Sequence, residues 1–473
     1  MSFKKLKTSI SVLFIIYLVY ALICSVSIFR FHLPVGYAHE NGQATERYLG
    51  EEMSQDRVVL LEDGSFAGLA RINLIEQAKE TIDIAYYSID SGTMADTFLG
   101  GLVEAADRGV QVNIILDGLV NNPRGKLRDT IYAFAKHPNI ELKLYEPLNL
   151  LRPWTWNNRL HDKLMMVDDK YAIIGGRNIG DKYFIKGKQE TQVNDRDVLI
   201  INTKQAQVKN SVISEMNDYF DKLWTHDFTK QSVKKLSDRQ KQTGVTQTEL
   251  LLENLQQLKK THPKAFNRIF DWNRMSISTK KITFIHNPVQ RLSKEPWIWS
   301  EISSLMEEAE DSFTIESPYV IPTKKMLNYL GDISVPPENV TIITNSLEST
   351  PNLLAFSGYM RHSNKIVSNG FNVLEFEGPN SIHGKTYVFD DRISAIGSFN
   401  LDARSTFLST ESMVVIDSTE LADLLNIEMR SSFPEDLGAA PFNRETEKES
   451  APFMKILFLE LLSKISPIYQ HLL

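Results

Sequence analysis

The sequence predicts an α/β protein made of two equivalent halves, packed with pseudo-twofold symmetry behind a single N-terminal transmembrane helix. Three observations predict it. Residues 9–29 form an uncharged apolar run. Segments of strand and helix period alternate from about residue 58 and restart at about residue 282. One motif, His-x-Lys-(x)4-Asp, occurs twice, as His161, Lys163 and Asp168 and again as His383, Lys385 and Asp390. Each copy is followed by a small-residue element ending in asparagine: Gly175-Gly176-Arg177-Asn178 and Gly397-Ser398-Phe399-Asn400. The copies stand 222 residues apart, too far for a solenoid unit and about right for a duplicated domain.

At 473 residues, with 42% apolar and 23% charged residues, the chain has material for two or three cores. Its formal net charge is −7, so no general basic footprint marks a nucleic-acid partner. The one cysteine, Cys24, lies in the apolar run, which excludes intramolecular disulfides and cysteine-based zinc sites.

Taken in order, residues 1–30 read as a membrane anchor. The apolar run is long enough to span a bilayer, and Lys4, Lys5 and Lys7 precede it. The positive-inside tendency then places the rest of the chain on the outer face of the cell membrane. Residues 31–57 read as a juxtamembrane linker. The first half, 58–228, shows a helix through Leu69, Ile72 and Ile75, a strand at 81–88, a helix at 94–108 and a strand at 110–116. A helix at 125–137, a strand at 140–145, the first motif and a helix near 205–224 follow. Alternation at this spacing argues for a sheet covered by helices on both faces. The polar stretch 229–281, with Leu250, Leu251, Leu255 and Leu258 at helical spacing, reads as a helical connector. The second half, 282–450, repeats the order: helix 299–308, strand 312–317, helix 324–330, strand 340–345, helix 353–367, strand 373–377, then the second motif. The tail, 451–473, is rich in Leu, Ile and Phe but carries Lys455, Glu460, Lys464 and Pro467, so it suits core packing or the membrane interface better than a span.

Alternate residues of a strand share a face, so His161 points with Lys163 and His383 with Lys385. The Asp-Asp-Lys and Asp-Asp-Arg steps that follow read as hairpin turns, with opposite positions summing to 338–340 and 780–782. That register sets Gly175 beside Lys163 and Gly397 beside Lys385, with Asn178 and Asn400 near the histidines. Two imidazoles facing each other suit a two-step displacement in which one attacks and the other protonates the leaving oxygen. Two lysines and two asparagines argue for an anionic phosphate between them. Each histidine needs an acceptor for its second ring nitrogen, and Asp195 and Glu411 hold matching places downstream of the two motifs. Asp168 and Asp390 are expected to fix the hairpin ends. Lysine in each cluster argues against a metal, and no cofactor is expected.

At these residues the sequence resembles the phospholipase D superfamily, whose double HKD motif it matches. The resemblance implies two phospholipase D-like α/β sandwich halves packed face to face, and metal-free catalysis through a phosphohistidine. It implies that His161 is the nucleophile and His383 the general acid and base. By the same carry-over Lys163, Lys385, Asn178, Asn400 and Ser398 bind phosphate, and Asp195 and Glu411 orient the histidines, with Asp168 and Asp390 completing the motifs. The stretches GGRNIGDKYF, IITNSL, SGYMRH and GSFNLDARS are similar to the C-type cardiolipin synthases of bacteria. That implies a phosphatidyltransferase in phospholipid biosynthesis, acting on phosphatidylglycerol with phosphatidylethanolamine as an alternative second lipid. A hydrolytic phospholipase D, or a phosphodiesterase or nuclease on the same scaffold, is the alternative. Trp154, Trp156 and Trp297 suit a lipid interface or a core equally. A monomer and an oligomer both remain open.

Overall fold

A computed structural model describes residues 3–31, 45–121, 125, 127–187, 192–431, 433 and 453–473. Each half is built on one mixed sheet. In the second half the strand order is Lys281–His286, Ser412–Asp417, Ile393–Gly397, Thr386–Phe389, Phe313–Glu316, Val340–Asn345, Asn372–Phe376. In the first half it is Asp56–Leu61, Asp197–Asn202, Tyr171–Gly175, Lys163–Val167, Thr81–Tyr86, Gln111–Asp117, Ile140–Tyr145, with one short strand added at each edge. The seven central positions correspond one to one, so the duplication read from the motif extends to the whole topology.

The registers follow from burial on both faces. The strands Asp197–Asn202 and Ser412–Asp417 are buried at every residue, and so are Lys163–Val167 and Ile393–Gly397. Such strands read as continuous apolar runs because neither face meets water. The outer face of the first sheet packs on helices through Leu74, Phe98, Leu102, Ile131 and Phe134. The second sheet does likewise through Ile298, Ile302, Leu305 and Phe356. The inner faces share one core, in which Val58, Leu164 and Ile200 join Ile282, Ile396 and Ile416. The helices Val212–Thr225 and Thr419–Ser431 contribute to that shared core through Ile213, Phe220, Leu421 and Leu425. The expected arrangement of two α/β halves packed face to face is the observed one.

Two segments differ from their sequence reading, and the tail fits both options left open for it. The helix expected over 205–224 is split at Ser211, whose extended backbone ends a 3-10 turn and whose side chain caps Ile213 N–H of the next helix. The stretch read as a connector packs onto the first half. Thr229–Gln231 pairs with Ile140–Tyr145, Ile277–Ser278 with Asp56–Leu61, and the helix Asp238–Thr261 buries Leu251 and Leu255. In the tail, the helix Phe453–Ile465 buries Leu459 in the second-half core and leaves Met454, Leu457, Phe458, Leu461 and Ile465 exposed.

Among the described residues one helix is long and apolar enough to cross a membrane, over Ser9–Ser27. Most of its side chains stand open, Leu13 at 66% exposure, while Ala21 is buried. At its end Phe29 is buried in the second-half core.

Candidate active site

Each motif starts where a parallel contact crosses from one half to the other. Val193–Asn194 pairs in parallel with Ser381–Ile382, so the next residues on the two strands are Asp195 and His383. Leu160 bridges Thr410 in the same sense, so the next residues are His161 and Glu411. The backbone repeats the symmetry: His383 N–H donates to Asn194 O at 2.6 Å, and His161 N–H to Thr410 O at 3.2 Å. The acid beside each histidine therefore comes from the opposite half. His161 Nδ1 lies 2.9 Å from both Glu411 carboxylate oxygens, and His383 Nδ1 lies 2.6 Å from Asp195 Oδ2. Nδ1 is thus engaged in both rings, and Nε2 is left for chemistry.

The lysines are fully buried, whereas the imidazoles keep 15% and 14% of their surface. Lys163 Nζ donates to His161 O at 2.5 Å, and Lys385 Nζ donates to His383 O. Lys385 Nζ also lies 2.7 Å from His383 Nδ1. That nitrogen cannot accept from the ammonium and donate to Asp195 at once, and the shorter contact to an ionised carboxylate is the stronger one. An edge-on tyrosine flanks each imidazole, Tyr87 at His161 and Tyr183 at His383. Of these two tyrosines, only Tyr87, next to the strand Thr81–Tyr86 that pairs with the motif, had a positional signal in the sequence.

Electrostatics separates the two halves of the site. Burial, then Lys163 and Lys385, hold His161 well below its ordinary value. Burial and Lys385 take His383 down to about 4, against the pull of Asp195. Burial also lowers Lys163 to about 7 and Lys385 to about 8, opposed chiefly by Glu411 and Asp195 respectively. The acids diverge. Burial tends to raise Asp195, but Lys385 and His383 overcome it and bring it down to about 2. Burial wins at Glu411 and lifts it to about 7, although Lys163 and a hydrogen bond from Ser398 oppose the shift.

The remaining candidates fall in three places. Ser398 donates to Glu411 and so acts on His161 at one remove. Asn178 donates to Tyr183 OH at 3.1 Å, which links it to the ring beside His383. The hairpin pairing ends at Leu164–Ile174, so residues beyond it are placed by other strands rather than by the extrapolated register. The Oδ1 atoms of Asn178 and Asn400 are buried with no hydrogen-bond partner among the described residues. Asp168 and Asp390 do not join the histidines. Both have positive φ, 53° and 49°, at the far end of the hairpin. Asp168 accepts the N–H groups of Lys79, Glu80 and Thr81, and Asp390 those of Glu310, Asp311 and Ser312. Their carboxylates tie the turn to the start of the neighbouring strand, so these two aspartates complete the motifs structurally and do not touch the histidines.

The halves differ in one compensated detail. Asp162, inside the first motif, accepts from Tyr219 OH and Thr410 Oγ1. Its counterpart is Gly384, and there Glu316 of the adjacent strand fills the space and pairs with Arg196 of the first half at 3.0 Å. Arg196 also holds Glu62 and Thr386 Oγ1. A buried cation thus joins the halves beside the site. Among the described residues no three His, Cys, Asp or Glu side chains gather as a metal site.

Comparison with known proteins agrees with this architecture. A protein of Escherichia coli (strain K12) named cardiolipin synthase C is 28% identical over 408 residues, covering 77% of this chain and 82% of that one. Cardiolipin synthase 1 of Bacillus anthracis is 22% identical over 408 residues, covering 84% and 68%. In three dimensions the chain is similar to the crystal structure of phosphatidylserine synthase from Haemophilus influenzae Rd KW20, with a TM-score of 0.62, 15% identity and coverage of 93% of this chain and 100% of that one. The family model described as cardiolipin synthase, PLD-like domain, matches residues 72–224 and 302–432, one stretch in each half and together more than half of the chain. The chain therefore belongs to the cardiolipin synthase PLD-like family within the phospholipase D superfamily.

Proposed function

We propose that this protein is a membrane-anchored phosphatidyltransferase of the cardiolipin synthase type, which moves a phosphatidyl group through a phosphohistidine on His161. The observation that carries the reading is the pair of crossed histidine–carboxylate contacts, each flanked by a buried lysine. In the first step His161 Nε2 attacks phosphorus. The ester bond to the leaving glycerol breaks, and His383 gives that oxygen a proton. In the second step His383 takes the proton of an incoming lipid hydroxyl, whose oxygen attacks phosphorus and releases His161. One phosphodiester is exchanged for another, so no cofactor or energy source is required.

The acids support this division of roles. Asp195, held ionised, pulls His383 toward the imidazolium that a general acid needs, against burial and Lys385, which take the ring down to about 4. Glu411 is lifted by burial and favours a neutral His161, with its Nε2 lone pair free to attack. Lys163, Lys385, Asn178 and Asn400 would bind the phosphoryl oxygens, with Ser398 acting through Glu411. The anchor at Ser9–Ser27 keeps this site next to its lipid, and phosphatidylglycerol, or phosphatidylethanolamine as second lipid, is the expected substrate.

The test supplies purified full-length protein with phosphatidylglycerol in mixed micelles and follows products by mass spectrometry. Cardiolipin and free glycerol are expected, and both vanish in His161→Ala. Phosphatidic acid as the sole product would make the protein a hydrolase instead. With a p-nitrophenyl phosphodiester, whose leaving group needs no proton, His383→Ala is expected to retain the first step and accumulate a phosphohistidine. His161→Ala is expected to abolish it.

A further inference from the structure

A second cavity, of about 370 Å³, lies outside the histidine–lysine site. Its polar lining includes Lys324, Lys325, Arg361, His362, Gln470 and His471, with Ser293 and Thr323, and no aspartate or glutamate lines it. The buried cations Arg71 and Arg177, by contrast, are matched by Asp197. Here Lys324 and Arg361 stand exposed at the rim and Lys325 lies half-buried, and none of the three has an ion-pair partner among the described residues. Lys325 is half-buried with its Nζ 4.1 Å from the centre of the Phe407 ring, and burial alone lowers it to about 8. Three uncompensated cations around one hollow attract an anion.

The position of the cavity narrows the class of anion. Phe29, two residues beyond the apolar span, forms one wall, and Pro467 of the tail forms another. His471 Nε2 lies 3.1 Å from Val26 O, tying the tail to the end of the span. The tail helix alongside turns Leu457, Phe458 and Leu461 outward. Leu150 and Leu151 are also exposed, and their carbonyls accept from Tyr17 and Tyr20 of the apolar helix, respectively. The cavity thus opens where the helix leaves the hydrocarbon, at the depth of phospholipid headgroups. Its volume is near the lower end for ligand pockets and fits a glycerophosphate headgroup with the acyl chains left outside.

We infer that this basic cavity is a second, non-catalytic lipid site that binds the phosphate headgroup of an anionic phospholipid. It shares no residue with the histidine–lysine site and goes beyond the proposed transfer reaction. The short helix Ala403–Phe407, which follows Asn400, contributes Ala403 and Phe407 to the cavity wall.

The experiment uses full-length protein in a non-ionic detergent, carrying His161→Ala so that lipid is not consumed. Native mass spectrometry counts bound dioctanoyl phosphatidylglycerol, with dioctanoyl phosphatidylcholine and inorganic phosphate as the other probes. Adding K325Q and R361Q is expected to weaken one phosphatidylglycerol site at least tenfold, while K325R and R361K retain it. Equal retention of phosphatidylcholine at that site, or no response to the double substitution, overturns the inference. Binding of inorganic phosphate as tight as that of the lipid reassigns the cavity to free phosphate and also overturns it. In otherwise wild-type protein, K325Q and R361Q are expected to leave p-nitrophenyl phosphodiester turnover within about twofold, which confirms the fold. Failure of the transfer reading would instead appear as absent turnover with lipid binding intact.

Discussion

Gly176→Ala tests the crossed geometry more sharply than replacing a catalytic group. A methyl group at position 176 would stand 2.1 Å from Asp195 Oδ1 and 3.0 Å from Oδ2. Ordinary contact begins above 3.4 Å, so the carboxylate must retreat by more than 1 Å. Asp195 cannot retreat freely, because Oδ2 holds His383 Nδ1 at 2.6 Å and Oδ1 accepts Arg196 N–H at 2.8 Å. The hydrogen bond to His383 is the one that gives way. Misplacement of a catalytic group by about 1 Å costs on the order of 10²-fold in rate, and a kcat loss of that size is expected with KM little changed. The assay is cardiolipin formation by wild type, Gly176→Ala, Asp195→Asn and the double variant. If the methyl acts only through Asp195, its effect disappears in the Asp195→Asn background. A Gly176→Ala enzyme within about twofold of wild type, or losses that multiply in the double variant, would refute the reasoning.

Three further outcomes are expected. Lys163 and Lys385, at about 7 and about 8, are cationic below these values and neutral above them, so kcat/KM for an anionic diester is expected to fall as pH rises through 7 to 8. Lys385→Arg, which stays charged, should move that alkaline limb upward in a pH–rate profile. Asp168→Ala removes the acceptor for three backbone N–H groups and a residue suited to positive φ, so a loss of roughly 2 kcal/mol in a denaturant melt is expected, with kcat of the folded fraction kept. Gly384→Ala sets a methyl 1.8 Å from Glu316 Oε1 and is expected to destabilise by about 1–3 kcal/mol. Glu316→Ala should rescue it in the same melt, because Arg196 keeps Glu62 as partner.

Local physics made much of this protein legible in its sequence. Period-2 and period-3.6 apolar patterns located the strands at 140–145 and 340–345 to the residue. The hairpin arithmetic matched as well, since Leu164 faces Ile174 and Thr386 faces Ile396. These features depend on neighbours a few residues apart. The apolar span declared itself because a bilayer-length run is a property of composition alone. The stretch 229–281 was harder, because the pattern of Leu251 and Leu255 shows that a helix has a buried face but not which surface buries it.

The site divides along the same line. The sequence by itself singled out the residues proposed to carry the chemistry: two histidines, two lysines, and two acids at matching places. It also determined that His161 and Lys163 share a face, because strand alternation is local. Only the tertiary structure decided which acid serves which histidine. Glu411 lies 250 residues from His161, and Asp195 lies 188 from His383. Those pairs exist because parallel contacts across the interface, at Leu160–Thr410 and at Ile382–Asn194, deliver the next residue of each chain to its partner. Interface register is set by the shared core of both sheets, and no spacing within one chain segment encodes it.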